Sequence, residues 1–129
     1  MKQYVGAKLH GLRVTGKSLD YHGSVTIPEV FCRMLDIDEY EWIYVVNASN
    51  GLRWETYVLY GYDGEFSLNG GGARLGEVGD KCILFTKKIG TDYEPAKVIE
   101  VGQGNSMIRQ FEYNGEEIPD FNGGTKNAR

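Results

Sequence analysis

Four small groups of residues hold the chemistry open to this 129-residue sequence. Gly23 and Ser24 interrupt the strand-like run LDYHGSVTI. Lys8 and His10 stand two apart in KLH, which on a strand puts both on one face. In RWETYVLY, Arg53 and Tyr57 share one face of a strand and Thr56 takes the other. Asn69 to Ala73 reads NGGGA. These groups are a hydroxyl beside a glycine, a strand bearing an ammonium and an imidazole, a guanidinium and a phenol on one strand face, and a run of bare backbone amides.

Each group also has a plainer reading. Gly-Ser is a common turn pair. The Lys8–His10 and Arg53–Tyr57 pairs are ordinary solvated surface when each is taken alone. NGGGA lacks both the GK[ST] ending and the GxGxxG spacing of phosphate loops. Adjacent glycines either make a flexible turn or let a ligand or chain segment approach closely. Two histidines, His10 and His22, are too few for a zinc site without cysteine help, and there is no CxxC, so no metal is expected. No nucleophile elbow and no Ser-His-Asp order stands out.

The elements that must position these residues are mostly strands. Strands are expected at 8–15, 23–27, 42–46, 53–60, 65–68, 81–86 and 97–101, the last taken as the final core strand. Val25, Thr26 and Ile27 favour extended backbone. Pro28 followed by Val30, Phe31, Met34 and Leu35 at helical spacing predicts a short helix over 28–36. Asn50-Gly51 marks a hairpin turn between the strands at 42–46 and 53–60. NGGGA is read as a glycine loop. Beyond Gly102 the pattern loosens, and a mobile tail is expected over about 114–129.

The bulk composition sets limits. The length suits a single domain, 1–129. Hydrophobic residues at 41% are ordinary for a globular chain, and a net charge of −4 offers no basic field for nucleic acid. No apolar run reaches membrane-spanning length, and the first residues lack the apolar core of a signal peptide, so a soluble cytoplasmic protein is expected. Cys32 and Cys82 sit in apolar patterns and read as buried free thiols. Eighteen glycines scattered among short strand-like runs suggest a compact barrel or sandwich.

The order of the pieces adds a resemblance. KLH, then VTGKSLDYHGSVTI, then a short helix, NGLRWETYVL, SLNGGGARL and VGDKCILF together resemble the pyruvoyl-dependent aspartate 1-decarboxylase family from about Gly6 to Phe85. The family pattern is K-x-H, L-x-Y-x-G-S, N-G-x-R-x-x-T-Y and N-G-A-A-A. The resemblance implies a mainly β, double-psi β-barrel with short helices. It implies self-cleavage between Gly23 and Ser24, with chains 1–23 and 24–129, and conversion of Ser24 into a covalent pyruvoyl cofactor. L-Aspartate would bind it as a Schiff base and leave as β-alanine and CO₂, supplying pantothenate synthesis.

By the same resemblance, Thr56 is the oxyanion donor for cleavage and Tyr57 the proton donor. Arg53, Lys8 and His10 bind the dicarboxylate, with Lys8 and His10 adding charge and hydrogen bonds. Tyr21, Asn69, Gly70, Gly71 and Gly72 line the pocket. The family assembles as a homotetramer with sites between subunits; whether a maturation partner takes part is open. Gly71 and Gly72 replace family alanines, which should loosen the loop, and Asp20 adds a negative charge beside the cleavage site. Two rival readings are a pyruvoyl decarboxylase of another small amino acid and an uncleaved, non-catalytic barrel.

Overall fold

The computed structural model describes residues 1–115, 117–119 and 125–127. Eleven strands are seen among them: β1 (Lys2–Arg13), β2 (Gly16–Ser18), β3 (Ser24–Pro28), β4 (Trp42–Asn47), β5 (Arg53–Gly61), β6 (Ser67–Asn69), β7 (Lys81–Gly90), β8 (Ala96–Val101), β9 (Met107–Tyr113), β10 (Glu117–Pro119) and β11 (Thr125–Asn127). A short helix, α1 (Glu29–Met34), follows β3. Pro28 caps its start, because proline has no N–H to lose there. The mainly β class expected from the sequence is the one adopted. β10 and β11 pair with each other, and the rest of the expected mobile tail beyond residue 115 lies outside the described residues.

Nine strands form one mixed sheet in the order β2-β6-β3-β5-β4-β7-β1-β8-β9. Three neighbouring pairs run parallel, β1–β8, β2–β6 and β3–β5, and the others antiparallel. β2 leaves β1 after only two residues yet lies at the far edge, so the sheet must curl round on itself. The stitch is local: the Thr15 amide donates to the Phe66 carbonyl at 2.7 Å, and the Phe66 amide to Thr15 Oγ1 at 2.9 Å. This curled sheet agrees with the expected barrel.

Alternation along the strands fills the interior. Leu9, Leu84, Val45 and Trp54 stand opposite one another across four strands and form one inward row. Leu9, Leu84 and Val45 are buried with Leu12, Ile27, Ile43, Phe66, Leu68 and Ile99, and Trp54 packs against them. Each such aliphatic or aromatic side chain taken out of water contributes about 1.5–3 kcal/mol. The next row, Lys8, Phe85, Tyr44 and Glu55, faces outward, with the Phe85 and Tyr44 rings stacked at 5.3 Å.

Three expectations are corrected. The sheet does not end at Val101, because β9 adds a further antiparallel strand to β8. That strand is polar and half-exposed, so it lacks the apolar run that marked the others. NGGGA is not an open loop: Gly70–Arg74 is a turn of 3-10 helix in which only Gly70 takes a positive φ, +65°. The strand expected at 65–68 runs instead from Ser67 to Asn69, because the Glu65 carboxylate closes a turn by accepting from the Tyr62 amide.

Candidate active site

Ser24 opens β3, and the chain crosses from exposed to buried at that residue. Tyr21, His22 and Gly23 are exposed, whereas Ser24 is 2% exposed. The reason lies in pairing. β3 runs antiparallel to β6, with Ser24 directly opposite Asn69. The buried Asn69 carboxamide donates from Nδ2 to Ser24 Oγ and to Thr26 Oγ1, each at 3.0 Å. Ser24 Oγ in turn donates to the His22 carbonyl at 3.0 Å. A buried hydroxyl thus has a donor and an acceptor on its two sides, and its proton is held toward the exposed loop.

Gly70 explains why a glycine follows Asn69. A Cβ there would stand 2.6 Å from Gly23 Cα, 2.8 Å from Gly23 N and 3.1 Å from the Tyr21 carbonyl. The Gly23 backbone therefore lies directly on Gly70. Gly71 faces open space, and a Cβ on Gly72 would come 3.0 Å from Trp54 Nε1. Tyr21 and Asn69 line an open cleft of about 760 Å³ whose other walls include Tyr40, Tyr60 and Tyr62.

On β5, the parallel register pairs Val25 with Val58, so one step back along both strands brings Ser24 level with Tyr57. Tyr57 points to the outer face, where the Tyr40 ring lies 6.4 Å away. Thr56 points to the opposite face, paired with buried Ile43. Arg53 shares the outer face with Tyr57 but stands four residues away, about 13 Å along the strand. It is exposed, in a recess shared with Tyr44, Trp54 and Phe85.

Lys8 and His10 lie on β1, with β7, β4 and β5 between them and β3 in the sheet order. His10 belongs to an outward row that continues through Ile83 and Val46 to Arg53. So on the outer face the protomer gathers Ser24, Gly23, Asn69, Gly70, Tyr21 and Tyr57 into one group. Lys8 and His10 stand together on β1, and Arg53 stands apart from both sets, three strands from His10 along their row. Thr56 is turned to the other face.

Burial holds His10 down at about 4, aided by Lys8 and Lys81 and opposed by Glu100. At neutral pH its imidazole is therefore neutral and offers hydrogen bonds. Lys8 Nζ donates to Tyr113 Oη at 3.1 Å.

Sequence reasoning missed Thr26, which shares Asn69 with Ser24. Its position two residues along the same strand was a usable signal, because alternate residues share a face. It also missed the His22 carbonyl and Tyr113, for which no local signal exists. Among the described residues, no group of three or more His, Cys, Asp or Glu side chains is arranged to hold a metal ion. No helix among them is long and apolar enough to cross a membrane.

Comparison with known proteins adds a separate line. A family model described as aspartate decarboxylase matches residues 1–108. Aspartate 1-decarboxylase of Kosmotoga olearia is 42% identical over 108 residues, covering 81% of this chain and 94% of that protein. The protein of the same name from Desulfitobacterium hafniense is 44% identical over 110 residues, 80% of this chain and 86% of its own. That of Beijerinckia indica is 34% identical over 121 residues, 88% and 79% respectively.

Proposed function

The chain belongs to the aspartate decarboxylase family, and from that premise we propose that it converts L-aspartate into β-alanine and CO₂ with a pyruvoyl group made from its own Ser24. The observation that carries the reading is the handling of Ser24: a buried hydroxyl, bonded on both sides, at the point where an exposed glycine meets a buried strand.

In this reading Ser24 Oγ attacks the Gly23 carbonyl carbon. The C–N bond breaks as the C–O bond forms, giving an ester. Elimination releases the Gly23 carboxylate and leaves a dehydroalanine. Water then displaces ammonia and leaves a ketone at position 24. Glycine at 23 puts no Cβ in the way of the attack. The developing oxyanion needs a positioned donor; Thr56, which the resemblance gives for it, lies on the strand beside β3 but points to the face opposite Ser24 within the protomer.

The surroundings of position 24 fit such a group. Asn69 Nδ2 donates to the side-chain oxygen at position 24 and to neighbouring Thr26 Oγ1, and the missing Cβ of Gly70 leaves the space that the Gly23 backbone occupies before cleavage. Asn69, with the backbone of Gly70, Gly71 and Gly72 and the wall at Tyr21, would hold it. When formed, the group supplies an electron sink for the pair left as the α-carboxylate departs.

The chain's other residues do the rest. Arg53 offers a bidentate fork to a substrate carboxylate, and Lys8 a point charge. His10, neutral, adds a hydrogen bond. Tyr57, level with Ser24, holds the proton that returns to carbon.

Arg53, Lys8 and His10 stand apart from Ser24 within one protomer, so the reading includes a homotetramer in which the outer face of one subunit covers Ser24 of the next. Exposed Tyr21, Tyr40 and Trp42 supply apolar surface for such a contact. Cytoplasmic location is part of the same proposal.

The test is intact-mass analysis with a CO₂-release assay on aspartate, glutamate and other small amino acids. Fragments ending at Gly23 and starting with a ketone at 24, with turnover of aspartate, are expected. Ser24→Ala should stay whole and inactive; decarboxylation by that variant would refute the pyruvoyl assignment. In Tyr57→Phe, cleavage should survive while kcat drops about 100-fold.

A further inference from the structure

The contact between Lys8 and Tyr113 joins a candidate substrate residue to a part of the chain beyond the family match. That match ends at residue 108, and Tyr113 closes β9. Lys8 Nζ donates to Tyr113 Oη at 3.1 Å and lies 5.5 Å from the centroid of the same ring. One aromatic side chain thus offers the ammonium both an oxygen acceptor and a π face.

The sheet brings this about. Lys8 pairs with Val98 on β8, and Val98 with Phe111 on β9. Phe111 therefore continues the outward row that carries Lys8, and Tyr113, two residues on and opposite Ala96, shares its face. Tyr113 is itself pinned. Its carbonyl accepts from Tyr93 Oη at 2.5 Å, and that oxygen accepts from the Ala96 amide at 3.0 Å. The Phe111 ring meets the Tyr113 ring edge-on at 5.8 Å.

We propose that Tyr113 is a positioning residue for substrate binding: it holds the Lys8 ammonium in place on the outer face, so that the site receives a substrate carboxylate with the cation already ordered. The proposal rests on the reading of Lys8 as a substrate residue. A lysine is a point charge on a flexible four-carbon stem, and ordering it only at binding weakens affinity. Tyr113 bears that ordering beforehand. It does not touch the reacting atoms, so its loss should act on affinity and leave the chemical step alone.

The experiment compares the full-length chain with Tyr113→Phe, Tyr113→Leu, Lys8→Met and the Lys8→Met/Tyr113→Phe double variant. Cleavage is followed by intact mass, and kcat and KM by CO₂ release from L-aspartate. Calorimetry with succinate, an unreactive dicarboxylate, gives a second readout independent of turnover. Tyr113→Leu should raise the KM for aspartate and the Kd for succinate about three- to tenfold, with cleavage complete and kcat within about twofold of the parent. Tyr113→Phe, which keeps the ring and the packing, should give a smaller rise in the same direction and no further rise on the Lys8→Met background. Unchanged constants in both Tyr113 variants, alongside weakened binding in Lys8→Met, overturn the role of Tyr113 and leave that of Lys8 standing. Unchanged constants in Lys8→Met overturn both. A Tyr113→Phe effect that persists without Lys8 overturns the positioning route.

Discussion

Gly70 and the backbone of Gly23 occupy one space between them: a methyl group on Gly70 would stand 2.6 Å from Gly23 Cα. Gly70 also has φ +65°, the left-handed region in which a side chain is strained. The residue after Asn69 thus sets where the proposed cleavage site lies, through an atom it does not have.

Gly70→Ala should therefore displace the Gly23 loop. The left-handed conformation alone costs about 1–2 kcal/mol, and the collision adds to it. The expected outcome is a lower melting temperature and slowed or abolished cleavage by intact mass. Gly71→Ala is the contrast. It meets open space and has no positive φ, so it should stabilise by about 0.4–1 kcal/mol with normal cleavage. Gly72→Ala falls between, since Trp54 must give by a few tenths of an ångström. Equal behaviour of the three variants would contradict this account.

Asn69 supplies both amide hydrogens to hydroxyls on β3. Asn69→Asp keeps the shape and removes both donors. Leaving buried polar groups unmatched costs about 1–3 kcal/mol. If the same hydrogen bonds align Ser24 for attack, the half-time of cleavage should lengthen about tenfold or more. A time course by mass spectrometry settles the point, and wild-type kinetics would remove Asn69 from that role.

His10 makes a prediction about pH. Its folded value, about 4, lies below the ordinary 6.5, chiefly through burial and then through Lys8 and Lys81. Between those values the unfolded chain binds a proton that the folded chain does not. Stability should therefore fall as pH drops from about 6.5 to about 4, and this group should have no effect above about 6.5. His10→Gln should flatten that interval relative to the parent in urea titrations at stepped pH. Parallel curves would show that His10 does not contribute.

Cys32 and Cys82 are both buried free thiols. Burial pushes each up to about 12; carboxylates add to the rise, Glu41 and Glu29 at Cys32 and Asp80 at Cys82. The thiolate is the reactive form, so the folded chain should resist iodoacetamide at pH 8 and take up two labels once denatured. Rapid labelling of the folded chain at either cysteine would show that the core opens there.

What the sequence determined by itself was whatever depends on neighbours along the chain. Asn50-Gly51 set the β4–β5 hairpin, with Gly51 at φ +81°. Pro28 and the helical spacing after it set α1. The order of K-x-H, G-S, R-x-x-T-Y and N-G along the chain carries the family resemblance. Tertiary structure decided what depends on distant partners. Parallel pairings such as β1–β8 have no tight turn to announce them, because each needs a long crossover. β9 is polar enough to read as tail until β8 supplies its partner. The Asn69–Ser24 hydrogen bond joins residues 45 apart and the Lys8–Tyr113 bond residues 105 apart. Local propensity acts over a few residues, whereas strand register acts across the whole sheet. For that reason the chemical groups were legible in the sequence, and their separation on the protomer was not.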